Sequence, residues 1–265
     1  MNADEPMRLN HYIAACGHCS RRDADALISA GRVRVDGREA VLGQKVNPGE
    51  VVTVDSQALQ LQQHQSYLYY KPQGIVCTSR DPHARQTLTE ELHRMGLPHG
   101  LTYAGRLDKD SEGALLLTND GALIERVAHG AHGHEKEYLV ELDRPLTEEA
   151  LRRIRGGVYL PELARRTLPC QAACPMPADV PALSVIEPEE VRGELCRAAE
   201  DGRLLQIVLT QGLNRQIRRT CRAIGYTNIV RLIRIRIEHL LLGDLLPGTA
   251  RPLTQEELSA LHSLG

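Results

Sequence analysis

The sequence specifies an α+β protein in two parts, a small N-terminal module and a larger domain in which strands and helices alternate. Two observations carry this. Residues 7–55 hold two capped helix patterns and then short alternating segments divided by Asp36-Gly37 and Pro48-Gly49 turns. Residues 56–65 are Gln-rich and carry no charge apart from His64, the composition of a linker. The expected parts are residues 1–60, with the linker over about 56–65, and residues 66–265.

Within the module, one helix is expected over residues 7–16 and a second over 21–30, which Ser20 can N-cap and Gly31 can end. Residues 32–35 and 51–54 alternate as strands do. Between Arg8 and Val46 stand seven Lys or Arg, among them Arg8, Arg21, Arg22 and Arg32, against four acids. Arg21 and Arg22 fall at a helix start, where backbone N–H groups favour anions.

Beyond the linker, residues 67–70 read as a strand, Lys71-Pro72-Gln73-Gly74 as a turn and 75–78 as a further strand. Next, Gly105 and Gly113 frame a polar loop that carries Arg106 and Asp108 and runs into the apolar strand 114–117. An acid on a loop tied to a rigid strand is a candidate reactive group. Asn119 or Asp120 can cap a helix with Leu123 and Val127 inward, ending near Gly130. Residues 135–142 alternate, with Lys136, Tyr138, Val140 and Leu142 on one face. Thr147, followed by Glu148 and Glu149, opens a helix that Gly156 closes. The Pro- and Ala-rich stretch 160–190 shows no readable element. A strand is expected at 204–210 and a helix at 214–224, with Arg215, Arg218, Arg219 and Arg222 on one face and Ile217, Cys221 and Ile224 on the other. Strand 229–237 then turns Arg234 and Arg236 to a cationic side and Ile233, Ile235 and Ile237 to the core.

Composition narrows the function classes. With 265 residues, 42% of them hydrophobic, the chain is globular rather than disordered. No apolar run is long enough to cross a bilayer and residues 1–15 lack the pattern of a signal peptide, so a cytoplasmic protein without membrane partners is expected. Seven dispersed cysteines suit reduced thiols. The net charge of −2 gives no global attraction to nucleic acid, but the charge is segregated: residues 203–237 hold eight arginines and no acid, whereas 143–201 hold eleven acids and eight arginines. Such a cationic block is a footprint for phosphate, and four arginines on one helix face call for a compensating anion. Eight Tyr with no Phe or Trp exclude a base-stacking platform of the RRM type. Cys16 and Cys19 have zinc-like spacing, but the distant Cys170 and Cys174 are loosely spaced, and His129, His132 and His134 read as an exposed loop; no metal site is expected.

The stretch Arg8-Leu9-Asn10 … Cys19-Ser20-Arg21-Arg22 … Gly31-Arg32-Val33-Arg34-Val35-Asp36-Gly37 closely resembles the S4 RNA-binding domain. The larger part resembles the catalytic domain of RNA pseudouridine synthases, specifically the RsuA-type family that joins an S4 domain to such a domain. Lys71-Pro72-Gln73-Gly74, Gly105-Arg106-Leu107-Asp108, Lys136-Glu137-Tyr138 and Gly212-Leu213-Asn214-Arg215-Gln216-Ile217-Arg218-Arg219 carry the match in family order, with details most like the RluF branch.

The resemblance implies a fold and a reaction. The fold is an S4 domain of the αL type followed by a domain with a central mixed, mainly antiparallel β-sheet flanked by helices. The reaction is isomerisation of a uridine to pseudouridine in ribosomal RNA, 23S rRNA foremost and tRNA as a further substrate, by a monomer that needs no cofactor. Asp108 is implied as nucleophile at the sugar or as the base that starts an elimination, Arg218 as its cationic partner, and Tyr138 as the group beside the base. Arg106 would fill the space left by a flipped nucleotide. Lys136, Asn214, Arg215 and Arg219, with Arg8, Arg21, Arg22 and Arg32 of the S4 part, would contact RNA. Two alternatives stay open: a sister enzyme acting on 16S rRNA or another 23S uridine, and a non-catalytic S4 ribosome-assembly factor.

Overall fold

A computed structural model describes residues 5–78, 87–128 and 133–264. In the N-terminal part, helices Leu9–Ala15 and Arg21–Ser29 lie against a four-stranded sheet in the order Arg38–Glu39, Val33–Val35, Val52–Val54, Gln57–Ala58. The side chain of Ser20 accepts from the Asp23 N–H at 3.2 Å, which starts the second helix. Asp36 and Gly37, at φ 48° and 79°, form the two-residue loop of the hairpin between Val33–Val35 and Arg38–Glu39, a turn that needs positive φ at both positions. Leu9, Ile13, Ala24, Ile28, Val33 and Val52 make a separate small core. The first helix starts at Leu9 rather than residue 7. Met7–Arg8 is instead a short strand on Lys45–Val46, a pairing that satisfies backbone groups a helix start would leave open.

The larger part is built on a nine-stranded sheet whose main path runs Gln171–Ala173, Leu204–Leu209, Lys136–Leu142, Ile229–Ile237, Glu112–Thr118, Ser66–Lys71, Ala250–Pro252. Leu240–Leu241 extends it beside Ile229–Ile237, and Thr102–Ala104 beside Glu112–Thr118. Each described pairing is antiparallel except that of Ile229–Ile237 with Glu112–Thr118. This is the mixed, mainly antiparallel sheet expected.

The apolar run after Gly113 is the keel of the domain, because all seven residues of Glu112–Thr118 are buried. Ala114 and Leu116 face a core with Leu123, Val127, Leu195 and Ile233, which joins helices Gly121–Ala128 and Glu189–Glu200 to the sheet. Leu115 and Leu117 face the opposite side, where Tyr69, Leu88, Leu92 and Leu107 collect. A third core on that side joins Val140, Leu142, Leu205 and Ile207 to Leu151, Ile154, Ile217 and Cys221, so helices Glu148–Arg155 and Gln216–Ala223 pack there. Tyr138 borders the second and third cores. A strand buried on both faces needs an unbroken apolar run, and each leucine so buried contributes about 1.5–3 kcal/mol.

Several elements depart from expectation. Residues 75–78 form no strand; Val76 makes one isolated bridge to Thr87, and its carbonyl accepts from Leu88 N–H and Thr78 N–H, spending the segment's hydrogen bonds on the start of helix Leu88–Arg94. The helix expected at 214–224 spans Gln216–Ala223, because Arg215 is left-handed at φ 52°, ψ 34° and cannot continue a helix backwards. The stretch 160–190 is ordered: Tyr159–Leu160 pairs with Arg165–Arg166, Gln171–Ala173 is an edge strand of the main sheet, and 3-10 turns follow at Pro177–Asp179 and Pro181–Ser184. Helix Glu189–Glu200 was not legible, although Pro188 followed by Glu189 and Glu190 is a helix-start signature. Gly130, the expected end of helix Gly121–Ala128, and His129 and His132 lie outside the described residues. Among the described residues no helix is long and apolar enough to cross a membrane.

Candidate active site

The loop between Gly105 and Gly113 is shaped by its two ends and then pinned from three sides. Gly105 takes φ 76° and Gly113 takes φ 106°. Leu107 is buried in the core beside Leu115 and Leu117, so Arg106 and Asp108, its neighbours, turn outward. Ser111 N–H donates to the Asp108 carbonyl at 3.1 Å, closing a turn, and Gly74 N–H donates to the Lys109 carbonyl at 2.8 Å. The fully buried Lys71 ends its strand with Nζ donating to the carbonyls of Ser111 (2.7 Å) and Pro72 (2.9 Å). Arg218 Nη2 reaches in from the far side to the Asp110 carbonyl at 2.8 Å. Beneath the loop, the buried Glu112 accepts from Tyr70 Oη, Gln73 Nε2 and Arg231 Nη1. Lys71, Gln73 and Gly74 of the expected turn motif are thus positioning groups for the acidic loop, a role that spacing alone did not reveal.

Asp108 is one-third exposed and lies on the wall of a cavity of about 500 Å³. Tyr138, Lys136, Arg106, Asn214, Arg215 and Arg218 line the same cavity, so residues from three separate sequence regions converge there. The volume falls within the range of small-ligand sites. Arg219 lies just behind, its guanidinium donating to the Asn214 carbonyl and side chain and pairing with Glu162 at 3.4 Å. Arg8, Arg21, Arg22 and Arg32 of the N-terminal part are all exposed, with Arg32 paired to Asp55.

Two electrostatic expectations are corrected. The ion pair to Asp108 comes from Arg215, whose Nη1 is 3.7 Å from Asp108 Oδ2 and whose Nη2 is 3.4 Å from Asp110 Oδ2. Arg218 holds loop backbone instead, because its guanidinium enters one helical turn further along and deeper, where burial and Arg215 lower its pKa. The arginine block is also less free than its sequence suggests. Arg203 pairs with the neighbouring Asp201 and with Glu141, Arg231 with Glu112 and Glu194, and Arg236 with Glu135 and Glu137, the five glutamates being brought in from other segments by folding. Arg234 does not stand on a cationic surface: it is 3% exposed and reaches the cavity from within the sheet. Its sequence signal was a charge set between Ile233 and Ile235 in a strand apolar on both sides.

Lys136 Nζ donates to the His134 carbonyl at 2.9 Å, and burial, reinforced by the charge of Arg234, pushes its pKa down to about 8. Below that pH it is a cation in the cavity, and above it is neutral. Capture of an anionic ligand should therefore weaken as pH rises through 8. We expect kcat/KM, which reports the free enzyme, to fall on the alkaline side with a midpoint near 8, and Lys136→Arg to move that midpoint upward. An unchanged midpoint in Lys136→Arg would assign the fall to another group, Lys71 first, since burial also brings it to about 8.

The cavity joins an acid, a tyrosine and several arginines, a set suited to a polar, anionic ligand. The profile of the family described as RNA pseudouridylate synthase matches residues 65–223, and that of the S4 domain matches residues 7–52. The dual-specificity RNA pseudouridine synthase RluF of Escherichia coli K12 is 36% identical over 267 residues, covering 100% of this chain and 81% of that protein. The ribosomal large subunit pseudouridine synthase B of Bacillus subtilis is 31% identical, covering 97% of this chain and 96% of its own length. A crystal structure of a pseudouridylate synthase superposes with a TM-score of 0.63 at 25% identity, over 96% of this chain and 99% of that one. The chain belongs to the RNA pseudouridine synthases, isomerases that act on RNA.

Proposed function

We propose that the protein isomerises a specific uridine of 23S rRNA to pseudouridine, with a tRNA uridine as a second substrate, and that it works as a monomer. The convergence of Asp108, Tyr138 and Arg106 on one cavity carries the assignment of the site. The choice of RNA is supported by the relatives, of which one is named dual-specificity and another acts by name on the large ribosomal subunit. Residues 1–60 supply the S4 contacts and residues 66–265 the chemistry.

In this reading the uridine is flipped out of its helix into the cavity, at a cost of a few kcal/mol that is smallest in a loop or bulge. Arg106, exposed at the rim, takes the vacated place in the stack, where a planar cation both stacks and donates. The Asp108 carboxylate then either attacks C1′ or removes a proton to start elimination, and the N1–C1′ bond breaks. Tyr138 packs beside the freed base and takes part in proton transfer when C5 joins C1′. Holding base and sugar together in the cavity supplies proximity, worth up to roughly 7–11 kcal/mol. Arg8, Arg21, Arg22, Arg32, Lys136, Asn214, Arg215 and Arg219 contact the surrounding RNA. Affinity should fall by roughly 0.7–0.9 log units per phosphate contact for each decade of salt.

Mapping pseudouridines in rRNA and tRNA from cells lacking this protein, before and after restoring it, tests the proposal. Loss and recovery at a 23S position is the expected result; a change confined to 16S rRNA, or no change, would overturn it. Arg218→Ala is expected to lower kcat by about 10²-fold while the RNA Kd stays within about threefold, because Arg218 holds the loop of Asp108. Equal loss in both would make it a phosphate contact.

A further inference from the structure

The cavity contains a charge that the reaction as described leaves unused. Arg234 is 3% exposed and stands on the sheet face that carries Tyr138, its cross-strand partner. Its Nε donates to the Ala114 carbonyl at 2.7 Å, which fixes the guanidinium, while its Nη2 is buried and has no partner. The two arginines flanking it along the strand, Arg231 and Arg236, each have two carboxylates, and Arg234 has none among the described residues. Arg218 Nε is also buried and unpartnered, and Lys136, whose pKa Arg234 depresses, lies on the same wall. A desolvated guanidinium with an open donor is costly unless negative charge arrives.

That charge must come with the ligand. The phosphates of an RNA strand stay at the rim, where Arg106 and Arg215 are exposed; what enters as far as Tyr138 is the base, which is neutral on entry. It does not remain neutral. When N1–C1′ breaks, the bonding pair stays on N1, whether Asp108 bonds to C1′ or takes a proton from the sugar, and the detached uracil carries one negative charge spread over N1 and the carbonyl oxygens. When C5 bonds to C1′, the Asp108–C1′ bond breaks, or Asp108 returns the sugar proton; C5 loses its proton, N1 gains one, and the ring is neutral again.

Resting on the assignment of the reactive site to Asp108, we propose that Arg234 is a catalytic residue whose Nη2 donates to a carbonyl oxygen of the detached uracil and stabilises its anion. The Nε bond to the Ala114 carbonyl fixes the guanidinium at the cavity wall before substrate arrives, the preorganisation that makes oxyanion holes effective.

The test uses a transcript carrying the uridine located by the mapping above, and the same transcript with 5-fluorouridine at that position. Fluorine withdraws electrons, so the detached ring holds its charge with less help. Single-turnover loss of each nucleoside is followed by nuclease digestion and mass spectrometry. Arg234→Gln is expected to slow uridine turnover about 10²-fold but 5-fluorouridine turnover about tenfold or less, with RNA Kd within about threefold of wild type. Equal slowing on both nucleosides, as a merely structural role predicts, or no slowing at all, would overturn the inference. Should Arg234→Gln lose the native thermal transition, Arg234→Lys is read through the same ratio, because the displaced ammonium loses the fixed geometry. Wild-type protein inactive on every transcript would overturn the site assignment as well, and the wild-type arm tells the two failures apart.

Discussion

Asp108→Asn is expected to lower pseudouridine formation by more than about 10³-fold while RNA binding stays within about threefold. Asparagine keeps the size of the side chain and can still accept from Arg215, which lies 3.7 Å from Asp108 Oδ2, but it offers no carboxylate oxygen for C1′ and no base for a sugar proton. The pinning of the loop does not depend on this side chain. Lys71, Gly74 and Arg218 all hold backbone carbonyls, so the cavity and its arginines should keep their places. Gel-shift affinity and pseudouridine sequencing on the same preparation would check both halves. Full activity in Asp108→Asn would remove Asp108 from the chemistry, and wild-type-like binding with no product from either protein would favour an assembly factor.

The largest expected effect on stability comes from Gly113→Ala, at about 3–5 kcal/mol, seen as a fall of about 10 °C in Tm. At φ 106° a Cβ is strained on its own account. The added atom would also stand 2.7 Å from the Arg234 backbone nitrogen and closer still to its carbonyl oxygen, both parts of a neighbouring strand that cannot swing away like a flexible side chain. The pairings of Ile233 with Glu112 and Arg234 with Gly113, the single parallel contact among the described strands, exist because that Cβ is missing. Pushing the strands apart would also shift the loop of Asp108 against Arg234, so turnover should fall further than folding alone explains. A Tm within about 2 °C of wild type would show that the two strands can separate at little cost.

Most of the fold was legible because the signals were local. Ser20 and Thr147 cap the helices expected of them, and Asp36-Gly37 makes a hairpin turn because few other pairs tolerate positive φ twice. The apolar run after Gly113 read as a strand, and the structure buries it on both faces. Legibility ended where long-range partners decide. Residues 75–78 look like a strand but spend their hydrogen bonds on a helix start, and 160–190 has order that comes from docking on the sheet edge rather than from periodicity. In the site, Asp108, Tyr138 and Arg106 stood out through their motifs. The partner of Asp108 did not, because Arg215 reaches it only by way of a left-handed residue at a helix start.

What the sequence determined by itself is the set of parts: an S4 module, a glycine-framed acid, a tyrosine on an alternating strand and a block of arginines. These follow from local chemistry, caps, turns and residue spacing, which no distant contact has to supply. Tertiary structure alone decided the use of the arginines. Charge in a sequence has a sign but no partner. Folding brought Glu112, Glu135, Glu137, Glu141, Glu162 and Glu194 to four of the eight arginines, and left Arg234 buried on the cavity wall, fixed and with an unpartnered donor.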